Sequence, residues 1–425
     1  MIKITDVLIG LTAQVTRELL KFEQPADFVL SNFFRQHRVD NRSRAFIAET
    51  AYAVLRRRRL LEKVVGEHST PLRLVLAALV KVTGLSQRQV GEALGDDGGR
   101  EASWLAGLKA QGDPEMTLAE QADLPDWLAE RLLARMAPEA MLDMARALNQ
   151  PAPLDLRVNA IKATREEVLA QLQSDGQVVE PCRYAPMGLR IKGRPALSRH
   201  PMFLDGKFEV QDEGSQLLGQ LLAPKRGEMV ADFCAGAGGK TLLLGALMRS
   251  TGRLYAFDVA DKRLAKLKPR LARSGLSNVH PAVIASENDI KIKRLAGKLD
   301  RVLVDAPCSG LGTLRRNPDL KWRQSPHSVA ELSRKQADIL AGASRLVKVG
   351  GRLVYATCSI LPEENEEVVD AFLAAHPEFL RLSAVEVLAK QGIVIDCPSE
   401  SGDMRLTPQH HGTDGFYAAV LERKV

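Results

Sequence analysis

Between Phe28 and Val65 apolar residues recur at three- and four-residue spacing, among them Phe46, Ala53, Val54, Leu60, Leu61 and Val64, with basic residues between them. That spacing predicts amphipathic helices, and no strand-like alternation interrupts residues 1 to about 145. Pro125 and Asp126 open a further helix with Trp127, Leu128, Leu132 and Leu133 on one stripe. Asp96-Asp-Gly-Gly99 and Gly112-Asp-Pro114 mark loops. Asn149-Gln-Pro-Ala-Pro153 reads as a linker. After it come a strand at 154–159, a helix at 164–174 opened by Thr164 with Glu167 three residues on, and a strand at 188–192.

From Gln211 the rhythm changes to short apolar strands alternating with helices. Strands are predicted at 229–233, 253–258, 279–284, 301–305 and 352–357, with a closing strand at 415–423. Helices are predicted at 240–249, 262–274, 328–346 and 363–375. The alternation is that of a doubly wound α/β sheet. Three domains are expected: helical over 1–148, small α+β over 149–210, and α/β over 211–425.

The 425 residues are 45% hydrophobic and 26% charged, as in a globular protein without a membrane span. The N-terminus lacks the order of a signal peptide. Five scattered cysteines (Cys182, Cys234, Cys308, Cys358, Cys397) form no Cys-x-x-Cys pair. They read as free thiols, with no metal site and a cytoplasmic location expected. The net charge of +7 gathers in Arg56 to Arg59, Lys262 to Arg273, and Arg315, Arg316, Lys321 and Arg323. Each cluster alone is a solvated face; three together favour a nucleic acid.

Asp232 ends a strand, and Cys234-Ala235-Gly236-Ala237-Gly238-Gly239-Lys240 then leads into a helix. Such a turn lets a ligand approach the backbone and meet a helix N-terminus. A P-loop would need glycine where Cys234 stands, and the dinucleotide fingerprint a third glycine where Thr241 stands. NAD is thereby disfavoured, and S-adenosylmethionine needs no pyrophosphate cradle. Asp258, ending the next strand, suits ribose hydroxyls or a helix cap, and Asp289 an adenine-side contact, with Glu287 and Asn288 as neighbouring candidates.

Cys308 and Cys358 each close a strand at the ligand-binding end of such a sheet. Cys182 and Cys397 read as small buried hydrophobes, and Cys234 as part of the turn's shape. Arg315, Arg316, Asn317, Lys321 and Arg323 carry donors suited to phosphates, and Trp322 is either a base-stacking ring or core.

Val210-Gln-Asp-Glu-Gly-Ser-Gln216, Asp305-Ala-Pro-Cys-Ser-Gly310, Arg315-Arg-Asn-Pro-Asp-Leu-Lys-Trp322, Tyr355-Ala-Thr-Cys-Ser-Ile-Leu-Pro-Glu-Glu-Asn365 and Thr413-Asp-Gly-Phe416 accompany that turn. Together they resemble the RsmB/Nop/Sun RNA cytosine-5 methyltransferases, from about Leu154 to the C-terminus. The family's turn reads Cys-Ala-Ala-Pro-Gly-Gly-Lys, so Gly236 and Ala237 depart from it. Residues 41–61 resemble the NusB-like helical domain of the bacterial RsmB branch.

The resemblance implies a Rossmann-like methyltransferase domain preceded by a small α+β RNA-binding insert and a helical RNA-binding domain. It implies S-adenosylmethionine as cofactor, RNA (16S rRNA foremost) as partner, and a monomer without metal or membrane. Cys358 is then the nucleophile that adds to carbon 6 of cytosine. Cys308 assists the later elimination, and Asp305 hydrogen-bonds the base while also bordering the cofactor. Lys240 is a candidate for the positive charge that a reactive thiolate needs. A tRNA substrate, a silent RNA-binding assembly factor and an NAD-dependent oxidoreductase are the competing readings.

Overall fold

The computed structural model describes residues 3–95, 99–110, 114–397 and 399–424. The loop signals at 96–98 and 112–113 lie outside them. The chain divides into two compact units. One is Met1–Pro151 with Thr313–Pro326, the other Ala152–Gly312 with His327–Val425.

The first unit is helical. Asn41–Arg56 is capped by Asp40, whose carboxylate accepts from Arg42 N and Ser43 N, and Thr70 caps Pro71–Lys81 the same way through Arg73 N. Ile9, Val54, Leu61, Val75, Leu76 and Leu79 form its core. Asp126–Leu133 forms a helix as its apolar stripe predicts.

The distant segment 313–326 is built into this unit, which corrects two expectations. Lys321, expected on RNA, is fully buried: its Nζ donates to Arg56 O and to Asn149 Oδ1, both at 2.9 Å. Arg315 is buried too, its carbonyl accepting from Arg56 Nη2 at 3.0 Å. Trp322 Nε1 donates to Leu55 O at 2.9 Å, so the ring packs rather than waits for a base. Only Arg316 and Arg323 of the four cations keep partial exposure. The Arg56–Arg59 cluster is likewise engaged internally. Arg57 pairs with buried Asp123 at 3.0 Å, Arg58 lies over the Trp322 and Phe22 rings, and Arg59 donates to Leu124 O. Charge spacing gave no sign of partners some 260 residues away.

The second unit holds two sheets. Leu154–Val158 (β1), Val179–Pro181 (β2), Gly188–Ile191 (β3) and Phe208–Val210 (β4) form an antiparallel sheet in the order β2-β3-β1-β4, packed on the helix Arg165–Ser174. The capping box at Thr164 and Glu167 is present. β2 and β4 are three residues each, too short to leave an alternation in the sequence.

The large sheet begins with Met229–Asp232 (β5), Arg253–Asp258 (β6), Val279–Val283 (β7), Leu299–Asp305 (β8) and Val347–Thr357 (β9). Phe379–Leu382 (β10), Met404–Leu406 (β11) and Phe416–Arg423 (β12) complete it. The order is β10-β12-β9-β8-β5-β6-β7, with β11 on β12; β5 to β9 pair in parallel and β12 runs antiparallel to β9. Helices Glu213–Leu222 and Gly239–Leu247 cover one face through Leu217, Leu221, Leu242 and Leu244. Pro326–Ser344 and Glu366–Ala375 cover the other through Ile339, Leu340, Val369 and Phe372. This is a Rossmann-like fold. The helix expected over 262–274 is split into Asp261–Leu264 and Leu267–Ser274, because Pro269 lacks the amide that would continue the first piece. The order in which strands are added reverses between β5 and β8, so ligands belong at the carboxyl ends of those strands.

Among the described residues no helix is long and apolar enough to cross a membrane.

Candidate active site

At the carboxyl end of β5 the turn 234–238 carries two glycines in left-handed conformations, Gly236 at φ +55° and Gly238 at φ +82°. A Cβ on Gly238 would stand 2.2 Å from Leu267 Cδ1, so glycine is required both for the turn and for the close approach. The turn's carbonyls are held by guanidinium groups. Arg270 Nη1 donates to Ala237 O at 2.7 Å and buried Arg157 Nη1 to Gly239 O at 2.6 Å. Thr241, standing where a dinucleotide fingerprint has glycine, donates to Asp232 Oδ2 at 2.7 Å. Burial pushes the Asp232 carboxyl up to about 7, against that hydrogen bond.

A cavity of about 400 Å³ opens beside the turn, within the usual range for small-ligand sites. Asp258 enters it from β6. Its Oδ2 accepts from Gly236 N and its Oδ1 from Ala260 N, both at 2.7 Å, and each oxygen retains a lone pair for a hydroxyl donor. Phe233, Val259, Ile284 and Ile339 give the cavity apolar walls, and Glu287 and Lys335 add charge. Asp289 is outside this lining, which corrects the sequence reading. Its two oxygens accept from Lys291 N and Ala285 N, so it caps a helical turn, and Glu287 is the acid that faces the cavity.

The far wall holds Asp305, Cys308 and Cys358. Asp305 Oδ2 pairs with Lys240 Nζ at 2.7 Å. Burial alone would lower Lys240, but Asp305, Asp232 and Cys358 outweigh it and raise its pKa, so the ammonium stays charged. The two sulfurs lie 3.3 Å apart, and Cys358 N also donates to Cys308 Sγ at 3.3 Å. The hydrogen bond to Cys358, with burial, pushes the Cys308 thiol well above its ordinary range. That shift favours the thiol form of Cys308. Cys234 lines the same cavity and is raised by burial, while Cys182 and Cys397 lie outside it.

Sequence reasoning missed Glu364. Its carboxylate is fully buried between the two cysteine loops, accepting from Ser309 N at 2.8 Å, Ser309 Oγ at 2.5 Å, Gln336 Nε2 at 3.0 Å and Ser359 Oγ. Its place in a run of acids ending Pro-Glu-Glu-Asn-Glu366 looked like an ordinary helix start. The position of serines after both cysteines was the available signal.

Gly312 sits where the loops close. Its N donates to Cys358 O, and its own carbonyl accepts from Gly415 N, both at 2.8 Å. A Cβ there would meet Gly415 O at 2.2 Å and Cys358 O at 2.9 Å, both backbone atoms. Gly312→Ala is expected to cost about 1–3 kcal/mol and to move the Cys358 loop. Thermal melting and iodoacetamide labelling of Cys358 will show both effects.

Asp155, Cys182 and Glu213 are the group among the described residues whose ligand atoms approach one another as metal ligands would. The Arg190 guanidinium occupies it, donating to Asp155 Oδ1 at 2.7 Å and to Glu213 Oε2 at 3.3 Å.

The cavity suits S-adenosylmethionine. Asp258 would take the ribose hydroxyls, Val259 and Ile284 would flank the adenine, and the start of the helix Gly239–Leu247 would face the carboxylate.

A family model described as 16S rRNA methyltransferase RsmB/F matches residues 219–422, and one described as an RsmF/B-like ferredoxin-like domain matches residues 124–197. A Synechocystis protein named probable ribosomal RNA small subunit methyltransferase B is 32% identical over 444 residues, spanning 96% of this chain and 98% of that one. The crystal structure of a protein called PH0851 matches with a TM-score of 0.81 at 30% identity, covering 99% of this chain and 100% of that one. A methyltransferase homolog from Pyrococcus horikoshii matches with a TM-score of 0.61 at 30% identity, covering 72% of this chain and 98% of that one.

Proposed function

Because the chain belongs to the RsmB/F family of S-adenosylmethionine-dependent methyltransferases, we propose that it forms 5-methylcytosine in 16S rRNA through a covalent enzyme–base adduct. The observation that carries this reading is the thiol pair, 3.3 Å apart, beside the Lys240–Asp305 ion pair at the end of the cofactor cavity. Methylating carbon 5 of cytosine requires that a poor nucleophile be activated. The Cys358 sulfur adds to carbon 6, and its electron pair makes carbon 5 enamine-like. Lys240 supports the thiolate, and the Asp305 carboxylate accepts a hydrogen bond from the base near N3, favouring its protonation as carbon 6 is attacked. Bound S-adenosylmethionine supplies the electrophilic methyl group. Loss of the carbon-5 proton to solvent water then lets the Cys358–carbon 6 bond break, its electron pair leaving on the sulfur, and restores the aromatic ring. Cys308, a neutral thiol against the Cys358 sulfur, assists that release.

The base must be turned out of its surroundings to reach the sulfur. The α+β region of 149–210 and the helical domain of 1–148 are read as RNA-binding parts, with Arg316 and Arg323 on phosphates.

The test is bisulfite sequencing of ribosomal and transfer RNA from a deletion strain. One 16S cytidine is expected to lose its resistance to conversion and to regain it with the wild-type gene but not with Cys358→Ala. A change confined to tRNA would overturn the ribosomal assignment, and no change in any RNA the whole reading.

A further inference from the structure

The Glu364 carboxylate lies in the interior, and among the described residues no cation pairs with it. All its side-chain donors are neutral: one backbone amide, two serine hydroxyls and the Gln336 amide. Burying an unpaired carboxylate is costly, and an apolar staple would hold two loops more cheaply. What distinguishes this carboxylate is whom it touches. Ser309 follows Cys308 in the chain and Ser359 follows Cys358. Ser309 and Ser359 hydroxyls also lie 3.2 Å from each other. Gln336, on the helix Pro326–Ser344, donates both to Glu364 and to Pro307 O, on the other side of Cys308. The Glu364 backbone is held in turn, its carbonyl accepting from buried Tyr355 Oη at 2.6 Å.

We infer that Glu364 is a positioning residue, whose carboxylate ties the Cys308 loop to the Cys358 loop and thereby sets the separation of the two sulfurs. The inference rests on the two-thiol reading given above and adds to it the group that keeps the thiols in register. Glu364 does not line the cofactor cavity, so its removal should spare cofactor binding. Its carboxylate also adds, after the hydrogen bond to Cys358, burial and the Cys358 sulfur, to what pushes the Cys308 thiol up. Geometry and charge can be separated by substitution. E364Q keeps the shape and removes the charge, and Gln336 Oε1, buried without a partner among the described residues, is available to the new amide. Replacing Ser309 and Ser359 together by alanine keeps the charge and removes the hydroxyl ties.

Two measurements on the full chain decide the matter. In a methyl-transfer assay with 16S rRNA, the Ser309→Ala/Ser359→Ala variant is expected to lose roughly thirtyfold to a hundredfold in kcat, with KM for S-adenosylmethionine within about twofold of wild type. Without RNA, in a Cys358→Ala background, the pH at which iodoacetamide labels Cys308 is expected to fall by about one unit on adding E364Q. The serine pair should leave that pH in place. The labelling does not depend on which base or RNA is modified, so it still judges the role of Glu364 if the cytosine reading fails. Wild-type kcat in the serine pair and in E364Q, together with an unmoved labelling curve, would overturn the inference. A variant that has lost its melting transition is replaced by the single Ser359→Ala, for which the same drop in kcat is expected.

Discussion

Cys358→Ala is expected to abolish methyl transfer, by roughly 10⁴-fold or more, and to leave no protein–RNA adduct on a denaturing gel. Cys308→Ala should behave differently. It should still join to RNA but release it slowly, so that the adduct accumulates while turnover falls. The asymmetry follows from the electrostatics of two sulfurs 3.3 Å apart. Two thiolates at that distance would repel, so only one can be ionised at a time. Cys308 is the one pushed up, by its hydrogen bond to Cys358 and by burial, and Lys240 has Cys358 among the charges that keep it protonated. On the proposed reading the attacking sulfur is Cys358, and the thiol beside its departing form is Cys308. An adduct seen with Cys358→Ala and missing with Cys308→Ala would reverse the roles.

Lys321 should have the largest effect on stability. Lys321→Ala removes the donor to Arg56 O and Asn149 Oδ1 and leaves buried Asp123 with less compensation, at an expected cost of about 3 kcal/mol or more to the helical unit. A pH dependence accompanies it. Burial holds the ammonium down to about 7, against the pull of Asp123 and with the push of Arg57 and Arg56. An unfolded lysine titrates near 10.5. Between those values the unfolded chain binds a proton that the folded one does not, so stability climbs as pH rises through the window. Below about pH 7 both states are protonated and the full burial cost is felt. From pH 7 to 9 the gain should be roughly 2 kcal/mol, and Lys321→Met should lack it. All three tryptophans, Trp104, Trp127 and Trp322, belong to the helical unit, so tryptophan fluorescence during denaturation isolates its transition. A gain that persists in Lys321→Met would assign the effect to another group.

Lys321 also shows where the sequence stops being readable. The five parallel strands and the glycine turn were legible because each is specified locally, by a run of apolar residues or by a backbone conformation that only glycine adopts freely. Asp258 followed from its place at the end of one such strand. Lys321 sat in a basic run beside an exposed asparagine, and its burial depends on Arg56, Asn149 and Asp123, none of them near it in the chain. Asp289 failed for a smaller reason. An acid just after a strand serves a ligand or the next turn equally well, and here Lys291 N and Ala285 N claim both oxygens. Glu364 was invisible because its meaning lies in joining Ser309 to Ser359, 50 residues apart in the chain.

The helical unit takes its last piece, Thr313–Pro326, from beyond β8 of the other unit. During synthesis its N-terminal helices leave the ribosome long before Lys321 and Trp322 exist. At roughly 5–20 residues per second, that interval lasts on the order of ten seconds or more. Leu55 O, Arg56 O and Asn149 Oδ1 must remain hydrated until then, and the first unit to be made cannot be the first to be finished. A stop codon anywhere in the intervening stretch would therefore leave Leu55 O, Arg56 O and Asn149 Oδ1 without the donors that Lys321 and Trp322 bring to them.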